Sequence, residues 1–281
     1  IPLYEKTGGV SLMKIGFLSD LHADHASLKI NRSVVEGGIV KAVSDAKLDV
    51  LIISGDLSSD WIYSITLCEL IEKKTNTRVY LVLGNHDLWH IKKQTNSVLE
   101  SLSHHPSILI NRFIKLTDEW ELFGGLGWYD YSFCMPGTTP EIAARKKKSL
   151  WVDEQFIDFG MSDPDFTAKQ ISEWEELFVE KENKNIIFAQ HVIPRKEFLS
   201  TRENQYDWNF CNAYMGSSDI GKFINKHPEI KISSFGHTHT RFGSVVLDKV
   251  EFICNPVGYE QEWNSDDYQQ EIADCLIIKE I

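Results

Sequence analysis

Short runs of apolar and β-branched residues alternate with longer amphipathic segments in the first half of this sequence. The runs 15–18, 50–53 and 79–83 have the length of strands, and the stretches 27–46 and 62–73 have the apolar spacing of helices. Strands that alternate with helices in this way are typical of a sheet with parallel strands. The chain is therefore predicted to adopt an α/β fold.

The middle of the sequence is less regular. Apolar runs within 108–123 are interrupted by a polar turn and predict an antiparallel hairpin. Residues 124–164 are rich in glycine, proline, aromatic and basic residues and have no sustained periodicity, so they are interpreted as an inserted, lid-like loop. Thr167 and Gln170 fit a capping box and predict that a helix begins there.

Strand patterns return towards the end of the chain. The runs 186–189 and 230–235 read as strands, with a short helix predicted at 219–225. Residues 243–278 are predicted to be successive strands that close a sheet.

A single domain is expected over residues 13–281. Because a strand-like run begins just after Met13, residues 1–12 are interpreted as an extension or a vector-derived segment.

The composition excludes several classes of protein. With 281 residues, 42% of them hydrophobic and 25% charged, the chain is typical of a globular protein and not of a disordered one. The 29 basic residues against 41 acidic ones give a net charge of −12, which disfavours a nucleic acid as partner. No stretch approaches the roughly 20 apolar residues of a membrane span, so no membrane partner is expected.

Cysteine usage predicts the compartment. The chain has 5 cysteines, an odd number, and no C-x-x-C pair, a pattern that favours reduced thiols over a disulfide framework. The first twelve residues contain no apolar core of a signal peptide. A cytoplasmic location is therefore predicted, while the oligomeric state is left open.

Polar residues of only a few types recur directly after the predicted strands. In chain order they are Asp20, His22, Asp56, Asn85, His86, Asp87, His191, His237 and His239. Because α/β sheets place their sites at the carboxyl ends of strands, these side chains are expected to converge. Asp20 and His22 are two residues apart, which on an extended backbone turns both side chains to the same side. The same argument applies to His237 and His239.

Taken singly, each of these residues has an ordinary structural explanation, such as a helix cap for Asp20 or a hydrogen-bonded core histidine for His191. Taken together, they favour a metal site. If Asp20 and Asp56 are ionised and the other ligands are neutral, two divalent cations leave a charge of about +2, which suits a hydroxide and a phosphate. Imidazole ligands favour Mn, Fe, Zn or Co over Mg or Ca, and the predicted cofactor is two divalent or trivalent ions of these metals.

The residues also form an ordered set of short motifs that spans most of the chain. The pieces are Asp20-Leu21-His22, Gly55-Asp56, Gly84-Asn85-His86-Asp87, His191 and Gly236-His237-Thr238-His239. This set resembles the motifs of the calcineurin-like metallophosphoesterases. The resemblance implies a two-sheet β-sandwich flanked by helices, in four layers. It also implies one metal ion held by Asp20, His22, Asp56 and His239, and a second held by Asp56, Asn85, His191 and His237.

The expected activity is hydrolysis of a small or exposed phosphomonoester or phosphodiester. Two metal ions roughly 3.5–4 Å apart lower the pKa of a shared water, and the resulting bridging hydroxide attacks phosphorus in line. His86, which the resemblance leaves without a metal, is placed to protonate the leaving oxygen, and Asp87 could orient its imidazole or only cap a helix. Arg195 is a candidate phosphate clamp, because a guanidinium matches the geometry of a phosphate.

Two other functions are weighed against this one. A nuclease or a protein phosphatase of the same family is the first, and the acidic balance argues against the nuclease. A catalytically silent, metal-binding interaction scaffold is the second, although such a chain should have lost ligands that this one retains. The aromatic residues of the long loops have two interpretations, packing over the sandwich edge or stacking on a substrate ring, and packing is favoured.

Overall fold

The computed structural model describes residues 12–89, 92–179, 181 and 184–281. Its strands are β1 (Lys14–Leu18), β2 (Val50–Ser54), β3 (Arg78–Val82), β4 (Arg112–Lys115), β5 (Trp120–Gly124), β6 (Asn185–Ala189), β7 (Ile230–Ser234), β8 (Gly243–Leu247), β9 (Val250–Cys254) and β10 (Ile277–Glu280). Its α-helices are α1 (Ala23–Ser27), α2 (Arg32–Ala46), α3 (Trp61–Thr75), α4 (Thr95–Leu102), α5 (Pro140–Leu150), α6 (Asp153–Phe156), α7 (Asp163–Phe178), α8 (Tyr206–Phe210), α9 (Ser218–Lys226) and α10 (Tyr268–Cys275).

The strands form two mixed sheets. One has four strands in the order β10-β1-β2-β3, with β1, β2 and β3 parallel and β10 antiparallel to β1. The other has six strands in the order β4-β5-β6-β7-β9-β8, with β5, β6, β7 and β9 parallel and both edge strands antiparallel to their neighbours. The antiparallel hairpin predicted over 108–123 is β4 and β5.

Strand periodicity divides the apolar residues among three cores. In β2, Val50 and Ile52 face a core between the two sheets, where they meet residues of the second sheet such as Ile187. Leu51 and Ile53 face the opposite way, into a core shared with helices that include α2 and α3. A third core joins α7 and α9 to the outer face of the second sheet. Layers of helix, sheet, sheet and helix result, which confirms the predicted β-sandwich flanked by helices.

Three segments differ from the predictions. Residues 124–164 contain α5 and α6, and residues 243–278 contain α10 as well as strands. Helix α7 begins at Asp163 and not near Thr167, because Ser162 accepts a hydrogen bond from the Asp165 N–H and Pro164 fits the first turn. The Thr167 hydroxyl instead donates to the Tyr129 carbonyl, 3.3 Å away. The predicted capping box was therefore wrong.

The single domain over 13–281 and the lid-like role of 124–164 stay predictions. Of the predicted extension 1–12, residues 1–11 lie outside the described residues. Within the part of the chain that the structure describes, no helix has the length and apolarity needed to cross a bilayer.

Candidate metal centre

The residues predicted to bind metal follow the carboxyl ends of β1, β2, β3, β6 and β7. They are Asp20, His22, Asp56, Asn85, His191, His237 and His239, and they are called the ligand cluster below. Six of them are buried and His239 is half-buried. Because β1 to β3 are parallel in one sheet and β6 and β7 are parallel in the other, the loops that carry the ligands meet at one edge of the sandwich.

The sequence analysis expected an extended backbone at these residues. The backbone of this cluster is instead sharply turned. Asp20, His22, Asp56, His237 and His239 have φ values of 52°, 42°, 53°, 67° and 51°, all in the left-handed region. Each such residue costs on the order of 1–3 kcal/mol, and Asp and His are among the residue types that tolerate it best. Pairs of these residues therefore converge through sharp turns and not through strand alternation.

Backbone hydrogen bonds between the loops hold these turns in place. The N–H groups of Asp20 and His22 donate to the carbonyls of Gly55 and Asp56, each over 3.0 Å. The His237 N–H donates to Asp20 Oδ1 over 2.9 Å, which links the two sheets. A strained conformation persists where the surrounding structure over-determines it, and these bonds provide that constraint.

Two glycines are required because carboxylates of the cluster lie too close to them to leave room for a side chain. A Cβ on Gly84 would lie 2.1 Å from Asp56 Oδ1, and one on Gly236 would lie 2.2 Å from Asp20 Oδ2. Both distances are far inside van der Waals contact, so any side chain there would displace a carboxylate of the cluster.

The first group of donor atoms comprises Asp20, His22 and His239. The Nε2 atoms of His22 and His239 lie 3.1 Å apart, and Nε2 of His239 lies 3.6 Å from Asp20 Oδ1. The second group comprises Asp56, His191 and His237. Its His191 Nε2 lies 3.4 Å from Asp56 Oδ2.

Asn85 and Asp56 complete this arrangement. Asn85 Oδ1 lies 3.0 Å from His191 Nε2 and so joins the second group. Asp56 Oδ2 lies 4.0 Å from His22 Nε2, so the same carboxylate also borders the first group. The geometry thus places Asp56 between the two groups, as a bridging ligand requires.

Hydrogen bonds on the far side of three rings fix which nitrogen faces the centre. His191 Nδ1 lies 2.9 Å from the Ser54 carbonyl, His237 Nε2 lies 3.1 Å from the Tyr214 carbonyl, and His239 Nδ1 lies 2.7 Å from a Glu262 carboxylate oxygen. Carbonyls and carboxylates only accept, so these nitrogens carry the proton. The opposite nitrogen of each ring faces the cluster and can offer its lone pair to a metal ion that takes the place of a proton, which is the usual arrangement for metal-binding histidines.

The donor set fits a cation. Two atoms that each lie about 2.1 Å from one ion are roughly 3 to 3.5 Å apart, close to the separations found here. The His191 lone pair faces oxygens of both Asn85 and Asp56, an arrangement that only a proton or a cation relieves. Asp20 Oδ2 is buried and has no hydrogen-bond partner among the described residues. Two carboxylates, four imidazoles and one amide suit Mn, Fe, Zn or Co.

The pKa directions show how tightly these groups interact. Burial lowers the pKa of His237 to about 3, so this ring is neutral at physiological pH. Burial also lowers the pKa of His191, but the Asp56 carboxylate outweighs it and the pKa rises to about 10. Burial raises the pKa of Asp56, but the surrounding imidazoles, led by His191, lower it by more. Asp56 therefore stays ionised. The cluster therefore supplies an anionic centre ringed by imidazoles.

His86 lies beside the first group without belonging to the predicted ligand set. Its side chain could also reach a cation shared with His22 and Asp56. The ring packs on Trp89 with centroids 3.6 Å apart, Nε2 lies 3.4 Å from the Tyr259 hydroxyl, and burial lowers its pKa. The structure thus brings His86 to the cluster, where sequence analysis expected it.

Asp87 and Arg195 lie differently from their predicted roles. Asp87 accepts hydrogen bonds from the N–H groups of Asp56, Ser58 and Gly84 and from the Ser64 hydroxyl, and no hydrogen bond within the described residues joins it to His86. It organises the loops and does not orient the imidazole.

The Arg195 guanidinium pairs with Asp248 over 2.7 Å and with Glu197 over 3.0 Å. It does not line the cleft over the ligand cluster. The phosphate-clamp prediction for Arg195 therefore has no support in this geometry.

Asp153 is a residue of the site that sequence reasoning missed. This carboxylate is fully buried and accepts hydrogen bonds from Asn85 Nδ2 over 2.9 Å, from the indole N–H groups of Trp89 and Trp151 over 2.8 and 2.7 Å, and from the Tyr129 hydroxyl over 3.2 Å. By holding the amide nitrogen of Asn85, it turns the amide oxygen towards His191. No local sequence signal marks it, because its partner Asn85 is 68 residues away.

Comparisons with known proteins agree with this geometry. The family described as calcineurin-like phosphoesterase matches residues 13–241. The fold is similar to that of a phosphopantetheinyl hydrolase from Mycobacterium tuberculosis, with a TM-score of 0.71, 17% identity and coverage of 96% of both chains. It is also similar to a dimetal phosphatase from Danio rerio, with a TM-score of 0.53, 12% identity and coverage of 87% of both chains. A comparison with curated proteins gave no match.

The matched region contains every motif of the ligand cluster and most of both sheets. The chain therefore belongs to the calcineurin-like phosphoesterase family and is a metal-dependent phosphoesterase.

Proposed function

We propose that this protein hydrolyses a phosphoester with two metal ions held by the ligand cluster. The observation that carries the proposal is a pair of donor groups, of which the second contains Asp56 and the first lies beside the same carboxylate. One ion would be held by Asp20, His22, Asp56 and His239, and the other by Asp56, Asn85, His191 and His237. When bound, such ions lower the pKa of water and stabilise the charge on the phosphoryl oxygens.

The residues around the cluster have distinct proposed roles. His86 donates a hydrogen bond or a proton to the departing oxygen, since one nitrogen of a neutral imidazole still carries a proton. Its position between Trp89 and the Tyr259 hydroxyl limits how the ring can turn. Asp87 holds the backbone of the Asp56 loop, and Asp153 holds the amide of Asn85.

The test combines metal analysis with kinetics. The purified protein is loaded with Mn, Fe, Zn or Co and assayed on p-nitrophenyl phosphate and bis(p-nitrophenyl) phosphate, with metal content measured by mass spectrometry. We expect about two ions per chain and turnover of at least one ester. His86→Ala should keep the metals and lose about 10²–10⁴-fold in turnover of an alkyl ester, whose leaving group needs a proton. No turnover with any metal at any pH would leave the scaffold alternative standing.

A second, narrower candidate is hydrolysis of a phosphopantetheinyl ester. It is favoured by the full-length likeness to the mycobacterial phosphopantetheinyl hydrolase, which extends over both chains and not only over the metal motifs. A phosphopantetheinyl group attached to another molecule is a phosphodiester with an extended, uncharged arm. Mass spectrometry of a peptide that carries phosphopantetheinyl serine would show loss of that group, and an unchanged peptide beside active hydrolysis of bis(p-nitrophenyl) phosphate would exclude it.

A further inference from the structure

The ligand cluster lies at the base of a cleft of about 740 Å³. Pockets of 300–1,000 Å³ enclose ligands of drug size, so this cleft has room for much more than a phosphate group. One side of it is formed by the turn between α5 and α6 and by the segment around α8. The residues of this side that are used below are Leu150, Trp151, Val152, Trp208 and Met215, and they are called the apolar wall.

The apolar wall exposes large hydrophobic side chains to the cleft. Leu150, Val152 and Trp208 are 37%, 45% and 40% exposed. The Arg202 guanidinium stacks on Trp208 at 3.5 Å from the ring centroid, which restricts that indole. Trp151 is held by its hydrogen bond to Asp153. Exposed apolar side chains grouped beside a metal cluster mark a binding surface and not a packing defect.

The cleft carries almost no positive charge of its own. Lys29 is the only lysine or arginine among the described residues that line it, and this side chain forms an ion pair with Glu260. Asp153 and Glu262 add negative charge to the lining. Sites that bind dianionic phosphomonoesters generally use arginine or lysine to match the second charge.

Two divalent cations held by Asp20 and Asp56 leave a net charge of about +2. An attacking hydroxide and a phosphodiester, with one negative charge each, balance this charge. A phosphomonoester dianion would leave an excess negative charge that no side chain of the cleft offsets. The charge of the lining therefore favours a diester.

We infer that the substrate is a phosphodiester with an extended, uncharged arm that lies along the apolar wall. In the reaction, the water oxygen bonds to phosphorus and the P–O bond to one arm breaks with its electron pair. That oxygen takes up the proton lost by the water, so the products are an alcohol and a phosphomonoester. The inference rests on the proposed function, and the phosphopantetheinyl candidate is one member of this substrate class.

The test uses three esters with the same reporter: p-nitrophenyl phosphate, methyl p-nitrophenyl phosphate and hexyl p-nitrophenyl phosphate. We expect the methyl diester to be hydrolysed with a higher kcat/KM than the monoester. The hexyl diester should improve kcat/KM about tenfold further, mainly through KM, because burial of even part of the chain is favourable. Binding of hexylphosphonate and methylphosphonate, in which the arm is attached through a P–C bond that the reaction cannot hydrolyse, is measured in parallel by calorimetry.

The chain offers a matched control. Leu150→Gln combined with Val152→Thr should remove most of the hexyl advantage, measured as the hexyl-to-methyl ratio of KM and of phosphonate affinity in the same variant. Leu177→Gln combined with Val179→Thr repeats the same changes on α7 and the residue that follows it, away from the cleft and at exposures of 39% and 67%. This control should leave the hexyl advantage intact.

The outcomes separate the two levels of the proposal. Hydrolysis with equal KM for the methyl and hexyl diesters, and equal phosphonate affinities, would overturn the role of the apolar wall while the proposed function stands. Preference for the monoester would overturn the diester assignment. Failure to hydrolyse all three esters would count against the proposed function, and tight binding of the hexyl phosphonate would then still support the apolar wall.

Discussion

The ligand cluster and the apolar wall border the same cleft but are built by opposite means. The ligand cluster lies in short loops at the ends of parallel strands, where backbone hydrogen bonds fix residues with positive φ. The apolar wall lies at the ends of helices in the segments that connect the strands. Within it, the position of Trp151 is fixed by a side-chain hydrogen bond to Asp153. The proposed phosphoester hydrolysis therefore depends on loops fixed by the sheets. The proposed selectivity for the substrate arm depends on connecting segments that can change without altering the sheets.

The largest effect is expected where the two donor groups meet. Asp56→Asn removes the charge of the carboxylate that borders both groups, so we expect loss of metal at both positions. Metal ions supply several kcal/mol of transition-state stabilisation, so turnover should fall on the order of 10³-fold or more. Metal content and kcat are the measurements. Full occupancy at both positions in this variant would exclude a bridging role for Asp56.

A change that removes no ligand tests whether the backbone of the cluster is as constrained as it looks. Gly84→Ala places a Cβ 2.1 Å from Asp56 Oδ1 and 2.5 Å from Asp56 N, so the Asp56 loop must move. A displacement of about 1 Å at a catalytic group can cost about 10²-fold in rate, and metal affinity should fall with it.

The matched control for that change is Gly37→Ala, in α2. A Cβ there meets nothing within 4 Å, and alanine favours a helix by up to about 1 kcal/mol over glycine. This variant should keep its activity and unfold at a slightly higher temperature. Equal activity of the Gly84 and Gly37 variants would show that the cluster tolerates movement.

Asp153 connects the ligand cluster to the apolar wall, so its replacement should affect both. Asp153→Asn replaces one carboxylate oxygen with an amide nitrogen that cannot accept, so the site loses either the bonds from Asn85 and Trp89 to Oδ1 or those from Trp151 and Tyr129 to Oδ2. Loss of such an outer hydrogen bond typically costs 10–100-fold in metal affinity or activity, and we expect a loss in this range.

The readouts for Asp153→Asn include a shift in tryptophan fluorescence, because one of the two indoles, Trp89 or Trp151, loses its acceptor. The adjacent Glu154→Gln serves as the control, since its carboxylate lies 3.8 Å from Lys147 and is not bonded to Asn85. If Asp153→Asn changes only the unfolding temperature, with metal affinity and kcat intact, Asp153 is a purely structural residue.

Much of the ligand cluster could be predicted because its signal is local. A strand pattern followed by Asp, Asn or His is visible in a few residues, and parallel strands bring such ends together. The backbone angles could not be predicted, because the positive φ of Asp20 depends on loops that are remote in sequence, such as the one that contains Gly55. The predicted residues lie together, but they do so through left-handed turns and not through the extended backbone that was expected.

The apolar wall could not be predicted, because its contacts are between distant side chains in an aperiodic segment.

Lys147, in α5 of the same insertion, is a second residue whose environment could not be predicted. It belongs to a run of four cations, which usually forms a solvated face, yet it is buried and pairs with Asp163 over 2.8 Å. Trp128 also donates to Asp163, over 2.7 Å. The sequence alone does not show that one lysine of this run is buried and that it stabilises the insertion through Asp163.

The smallest effect is expected at Arg195, which sequence analysis selected as a phosphate clamp. Its guanidinium pairs with Asp248 and Glu197 and does not line the cleft, so neither side of the comparison uses it. Arg195→Ala should change kcat/KM less than about twofold and cost on the order of 1 kcal/mol of stability, because ion pairs whose carboxylates are as exposed as Glu197 and Asp248 contribute little. Steady-state kinetics on the methyl diester and a urea titration measure both quantities. A loss of tenfold or more in kcat/KM at unchanged stability would restore Arg195 as a phosphate ligand and would require the loop after β6 to move towards the ligand cluster.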